Sequence, residues 1–218
     1  MKTHEISRAF FHTGGTIEGR DGLPTPSSAN LQAPIFFPAG KEIYAQGETC
    51  GNLYKVEFGG VRLYRLLSDG RRQISAFHLA GETFGFEADT THHFFAEAIC
   101  ATGIRILRPR SAHDDFAVEL FPMALQSLAR AQEHLLVLGR QNSVERVAVF
   151  LLEMSERQGG LRHVELPMSR TDIADYLGLT IETVSRVFST LKQRGVVRLP
   201  TLRSVEVIKW EILQDMAT

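Results

Sequence analysis

Residues 180–189 read Thr-Ile-Glu-Thr-Val-Ser-Arg-Val-Phe-Ser, and on a helix they separate into two faces. Val184, with Val187 or Leu191, points inward, while Glu182, Thr183, Ser185, Arg186 and Ser189 point outward near the N-terminal half. A carboxylate can accept from cytosine N4, a guanidinium can fork onto guanine O6 and N7, and a serine hydroxyl can bond either way. That combination suits the base edges of a DNA major groove. The charge nearby agrees: from Glu182 to Arg203, five cations (Arg186, Lys192, Arg194, Arg198 and Arg203) stand against Glu182 alone. Such a face can neutralise phosphates.

The flanking sequence supplies elements to hold these residues. Ser169 can cap a helix, with Asp172 three residues on to favour its positive end. That helix stops at Gly178, and Thr180 caps a second one running to Arg194, closed by Gly195. Ile173, Leu177 and Leu179 are inward positions, and Ala174 is small enough to let the helices approach. Val196 to Leu199 and Ser204 to Ile208 alternate like a hairpin, with Pro200-Thr201 near its tip. Together they read as a helix-turn-helix followed by a β-wing; the competing reading is an amphipathic helix pair of purely structural role. Ser169, Arg170, Thr180, Thr183, Ser189, Lys192 and Arg203 are the positions expected along the DNA backbone.

Upstream, Ser143 can cap a helix through about Glu156, ended by Gly159-Gly160. Residues 109–139 have helical periodicity, and Pro122 suggests a short helix before it and a long one after it. Phe121, Leu125, Leu128, Gln132 and Leu135 alternate steps of four and three, the spacing of a coiled-coil seam, with Ala124, Ala131 and Leu138 beside it. This predicts a dimer helix with Gln132 as its polar register position, set against an ordinary core helix. From Ile35 to Leu107, short β-rich runs (53–58, 61–66, 73–77, 94–99, 104–107) are separated by turns. Gly59-Gly60 and Asp69-Gly70 are read as hairpin corners, and the whole as a small antiparallel roll or barrel. Residues 1–34 have many turn formers and read as an arm.

The totals bound the rest. A chain of 218 residues, 44% hydrophobic and 22% charged, is globular, with one large or two smaller domains. Its net charge of −1 hides the local basic face. Two cysteines, Cys50 and Cys100, are too few for a disulfide framework or a cysteine-rich metal module. No apolar stretch approaches the length of a membrane span, and no secretory leader is evident, so a cytoplasmic protein without membrane partners is expected.

From about Ile35 onward, the chain resembles the Crp/Fnr family of bacterial transcription regulators. The resemblance lies in Phe37-Pro38-Ala39-Gly40, Gln46-Gly47, Leu53-Tyr54-Lys55-Val56, Gly60-Val61-Arg62-Leu63, Gly81-Glu82-Thr83-Phe84-Gly85 and the Glu182-x-x-Ser185-Arg186 pattern. It implies an α+β fold: a cyclic-nucleotide-binding-like β-roll at 35–112, a dimerisation helix at 113–140 and a winged helix-turn-helix at 141–218, after an arm at 1–34. It further implies a homodimer on palindromic double-stranded DNA, acting with RNA polymerase. Glu182, Ser185 and Arg186 would read an Fnr-like TTGA-type inverted repeat.

The sensor half departs from both well-known patterns. Phe94-Phe95 stands where a cyclic-nucleotide binder of this family carries Arg-Ser, and two aromatics cannot neutralise a phosphate. The leader has no cysteine cluster, and Cys100 alone cannot hold a [4Fe–4S] centre. What remains resembles the FixK branch: Fnr-type reading without the cluster, governing microaerobic and nitrogen-fixation genes, with no cofactor and no metal. An alternative is a haem or small-ligand sensor using His78, His92 or His93; the last two, as adjacent strand residues, would face opposite ways. Cys50 and Cys100 are expected to be buried. Thr13-Gly14-Gly15-Thr16-Ile17 resembles the nucleophile segment of bacterial-type asparaginases, but no second Thr-Asp-Lys constellation accompanies it. No catalytic residue is expected.

Overall fold

Why the chain makes two architectures in succession is visible in its periodicities, two-residue first and helical afterwards. The computed structural model describes residues 33–108, 116–140 and 142–217. Eight strands come first: β1 Ile35–Phe37, β2 Glu42–Tyr44, β3 Leu53–Phe58, β4 Gly60–Leu66, β5 Arg72–Leu79, β6 Thr83–Phe84, β7 Phe95–Ala98 and β8 Thr102–Leu107. They form two antiparallel sheets, ordered β1-β8-β3-β6 and β2-β7-β4-β5. Tyr54, Val56, Val61, Phe84, Ala96 and Ile104 fill the space between them.

Asp69-Gly70 turns β4 back along β5, with Leu66 opposite Arg72. Gly59-Gly60 does something else. β3 pairs with β6 and β8, whereas β4 pairs with β5 and β7, so this dipeptide is a corner between sheets and not a hairpin. Gly59 has φ +84°, and a Cβ there would lie 2.5 Å from the Ala101 carbonyl oxygen. Only glycine satisfies both the backbone angle and the close approach.

The helical half begins with α1, Phe116–Leu138, a single helix with Pro122 inside it. The two-helix expectation is therefore corrected. Proline deprives the Val118 carbonyl of its partner, but that turn is exposed and water can take the free oxygen. α2, Ser143–Arg157, is capped by Asn142, whose Oδ1 accepts from Val144 N at 2.9 Å; the cap is one residue earlier than expected. Then come β9 His163–Glu165, α3 Arg170–Leu177, α4 Ile181–Gln193, β10 Val197–Thr201, β11 Ser204–Val207 and α5 Trp210–Asp215. β9, β10 and β11 make the wing sheet. Thr201 pairs with Ser204, so the tip is Leu202-Arg203, and Pro200-Thr201 lies in the strand.

The larger core joins both halves. Ile74, Phe77 and Leu79 of β5 belong to one buried cluster with Phe150, Leu151 and Met154 of α2, Tyr176 and Leu177 of α3, and Val184 and Leu191 of α4. β5 is thus a wall shared between the roll and the helices.

Candidate nucleic-acid interface

α3 starts where a complete capping box forms. Ser169 accepts from Asp172 N at 3.1 Å, while the Asp172 carboxylate accepts from Ser169 N at 2.9 Å. Gly178, at φ +62°, ends the helix in the left-handed conformation that other residues resist. Two residues later Thr180 caps α4 by accepting from Thr183 N. Val184, Val187, Phe188 and Leu191 are buried at helical spacing and fix which face of α4 turns outward.

That outward face carries Glu182, Ser185, Arg186, Ser189 and Lys192, all exposed, as one strip. Bonds to its own backbone N–H and to Thr180 hold the Glu182 carboxyl below its usual range, so it is an ionised acceptor at neutral pH. Arg186 has no ion pair or hydrogen bond within the described residues and is available to a partner. Ser189 Oγ donates to Ser185 O at 2.9 Å, which leaves it lone pairs but no proton for a phosphate. Thr180 is exposed and Thr183 half-buried, their hydroxyls 3.1 Å apart.

Of the other positions expected along a DNA backbone, Ser169 and Arg170 are engaged inward and Arg203 stays at the surface. Ser169 is half-buried and donates to Asp172 at 2.8 Å. The Arg170 guanidinium lies over the Phe188 ring, 3.2 Å from its centroid, and burial pushes its pKa down to about 10. Arg203 sits at the exposed wing tip, donating to the Pro167 carbonyl.

The seam residues of α1 lie on an open face. Phe121, Leu125, Leu128 and Leu135 are 62%, 48%, 55% and 68% exposed, and Gln132 is exposed among them. The other side of α1 is covered: His134 and Val137 are buried, and His134 Nε2 donates to Tyr176 O at 2.8 Å while its ring stacks on Tyr176.

Between the roll and helices α1, α2 and α3 lies a cavity of about 410 Å³, lined among others by Tyr44, His78, Phe84, Phe94, Leu128 and Arg157. A cyclic phosphate does not fit its walls. Phe94 lies there under Arg65, 4.6 Å from the guanidinium. Both lining arginines are already paired, Arg157 with Glu82 and Glu153, Arg130 with Glu82. Glu82 itself is spent on these cations, and burial opposes its charge less than they favour it, so its pKa is lowered.

The three roll histidines are dispersed. His78 is buried against Phe84, and burial pushes its pKa down to about 4. His92 is buried and stacks on Tyr44, while His93 is half-buried and bonds Asp89 at 2.7 Å. His92 and His93 lie in a loop and not in a strand, which corrects the geometry expected of them. Cys50 and Cys100 are half-buried, not fully buried as expected; Cys50 Sγ donates to Asp89 O. The Thr13–Ile17 segment lies outside the described residues.

Sequence reasoning missed the side chains that tie the roll to α3. Arg62 and Arg72 reach Asp172, and Arg72 also reaches Asp175. Asp172 is legible from the sequence only as a helix cap.

Residues 34–113 match the cyclic nucleotide-binding domain family, and residues 145–216 match the Crp-like helix-turn-helix domain family. The chain belongs to the Crp/Fnr family and is a DNA-binding transcription regulator. Within that family it is similar to FixK proteins. It is 53% identical to the nitrogen fixation regulation protein FixK of Rhizobium meliloti (strain 1021) over 88% of this chain and 90% of that protein. It is 40% identical to the protein of the same description from Azorhizobium caulinodans, over 88% of this chain and 82% of that one. The solved structure of FixK2 from Bradyrhizobium japonicum superposes with a TM-score of 0.80 at 42% identity, covering 86% of this chain and 98% of that one. These relatives are regulators, not enzymes.

Proposed function

We propose that the protein acts in the cytoplasm as a homodimer that binds an inverted repeat with TTGA-type half-sites and, with RNA polymerase, activates microaerobic and nitrogen-fixation genes. The observation that carries this reading is the exposed strip on α4, where an ionised Glu182, Ser185 and an unpaired Arg186 stand on one face of a helix capped by Thr180. Glu182, Ser185 and Arg186 read bases. Lys192, Thr180, Thr183 and Arg203 face the DNA backbone, and Ser169, Arg170 and Ser189 position the helices that do so. The open seam Phe121, Leu125, Leu128, Gln132 and Leu135 packs against a second copy, which sets the two α4 helices into major grooves about 34–36 Å apart. The nitrogen-fixation assignment follows the names of the FixK relatives. In functional terms the chain divides into the arm 1–34, the roll 35–112, the dimer helix 113–140 and the reading domain 141–218.

Fluorescence anisotropy tests this with a symmetric TTGA-containing duplex against a scrambled duplex at moderate salt. Preference for the symmetric site supports it; equal binding to both rejects it. A second reading, a haem- or ligand-gated regulator, is favoured by the cavity between the roll and the helices. The absorbance spectrum of protein purified without oxygen separates the two, since a Soret band supports haem and a bare protein spectrum opposes it.

A further inference from the structure

Within the described residues, the roll grips the first helix of the reading domain through buried charge. Asp172, at 3% exposure, divides its carboxylate between two tasks. Oδ2 accepts from Ser169 N and Oγ, closing the start of α3. Oδ1 accepts from Arg62 Nη1 at 2.9 Å and Arg72 Nη2 at 2.6 Å, both on the roll. One turn along the same face, Asp175 Oδ2 accepts from Arg72 Nε and Nη2 at 2.9 and 2.8 Å. Gln73 Nε2 adds a bond to the Asp175 carbonyl at 2.8 Å. Arg62 is braced from behind by Glu97 on β7.

We propose that Arg62 and Arg72 are positioning residues for operator recognition, holding α3, and through it α4, in the orientation in which Glu182, Ser185 and Arg186 meet base edges. This rests on the base-reading role given to those three residues. Two attachment points three residues apart fix the rotation of α3 about its axis as well as its place. The Gly178 turn, Arg170 against Phe188 and the shared core carry that orientation into α4. Buried ion pairs seldom repay their desolvation as stability, whereas a forked guanidinium is demanding about direction. Base-edge hydrogen bonds fail with a shift of about 1 Å, but phosphate attraction tolerates it.

The test uses two full-length variants that change charge in opposite senses, Arg72→Gln and Asp175→Asn, with thermal melting to establish folding. Anisotropy is measured on the preferred operator and on a random duplex. Both variants should lose about tenfold in operator affinity, within the usual range of coupling energies, while random-duplex affinity stays within about twofold. An electrostatic effect on DNA would move the two variants in opposite directions, and a purely stabilising role would lower the melting temperature with an unchanged operator-to-random ratio; either result overturns the proposal. So does a rise in operator affinity in both. If Arg72→Gln does not fold, Asp175→Asn, which leaves the Asp172 capping box intact, decides alone. A wild-type protein that does not distinguish the two duplexes sinks the base-reading assignment first, and this inference with it.

Discussion

Helices α1 and α4 each leave one face open, and the two faces have opposite chemistry. On α1 the open strip is Phe121, Leu125, Leu128 and Leu135 around a single Gln132; on α4 it is Glu182, Ser185, Arg186, Ser189 and Lys192. Exposed leucines at coiled-coil spacing cost free energy in water and gain it back only against another apolar surface. Exposed charged groups on a capped helix cost little alone and gain direction only against groups of fixed polarity. Exposure therefore says where partners sit, and side-chain type says which partner. In the proposed reading the two strips serve one act, because a second copy packed on α1 would set the spacing at which both α4 helices meet DNA.

The comparison breaks most visibly at Leu128. Leu128→Glu would place an unpaired carboxylate in the seam of each protomer, a cost of at least about 3 kcal/mol. Sedimentation should then show a monomer, and binding to the inverted repeat should disappear; a dimer that survives moves the interface elsewhere. On α4, Arg186→Ala should cost about 1–3 kcal/mol on the operator and relax preference at one position per half-site. Equal losses on specific and random duplexes would make Arg186 a phosphate contact. Lys192→Ala should weaken both duplexes alike and reduce the salt slope of binding by about one unit, which a salt titration measures directly. Smallest of all, Ser189→Ala should change affinity hardly at all, because its hydroxyl proton is already given to Ser185 O. A clear loss there would show that the serine turns outward on DNA.

How much of this was readable in the sequence depends on the reach of the interaction involved. Ser169, Thr180 and Gly178 act on neighbours three or four residues away, so the helix-turn-helix could be placed almost to the residue. Asn142 and Ser143 can both cap, and only the backbone angles chose Asn142. Gly59 was legible as a turn but not as a corner between sheets, since that depends on which strands lie beside β3 and β4. Pro122 misled because an exposed helix turn tolerates a lost bond. The apolar strip of α1 could be read from spacing, but not that the helix's reverse side would be occupied by Tyr176 through His134. That the Arg170 guanidinium lies over Phe188 was not legible, because nothing local in the sequence announces that ring. Arg62 and Arg72 were invisible as partners of α3: about a hundred positions separate them from the aspartates they hold.

The strand β5 has a consequence for how this protein can be divided. Ile74, Phe77 and Leu79 complete the apolar interior against which Phe150, Met154 and Tyr176 pack. Cutting the chain before residue 142 to isolate the winged segment would strip those side chains of their cover, and grafting that segment onto a foreign sensor would require a matching strand. The roll and the winged segment share one interior and are not interchangeable parts.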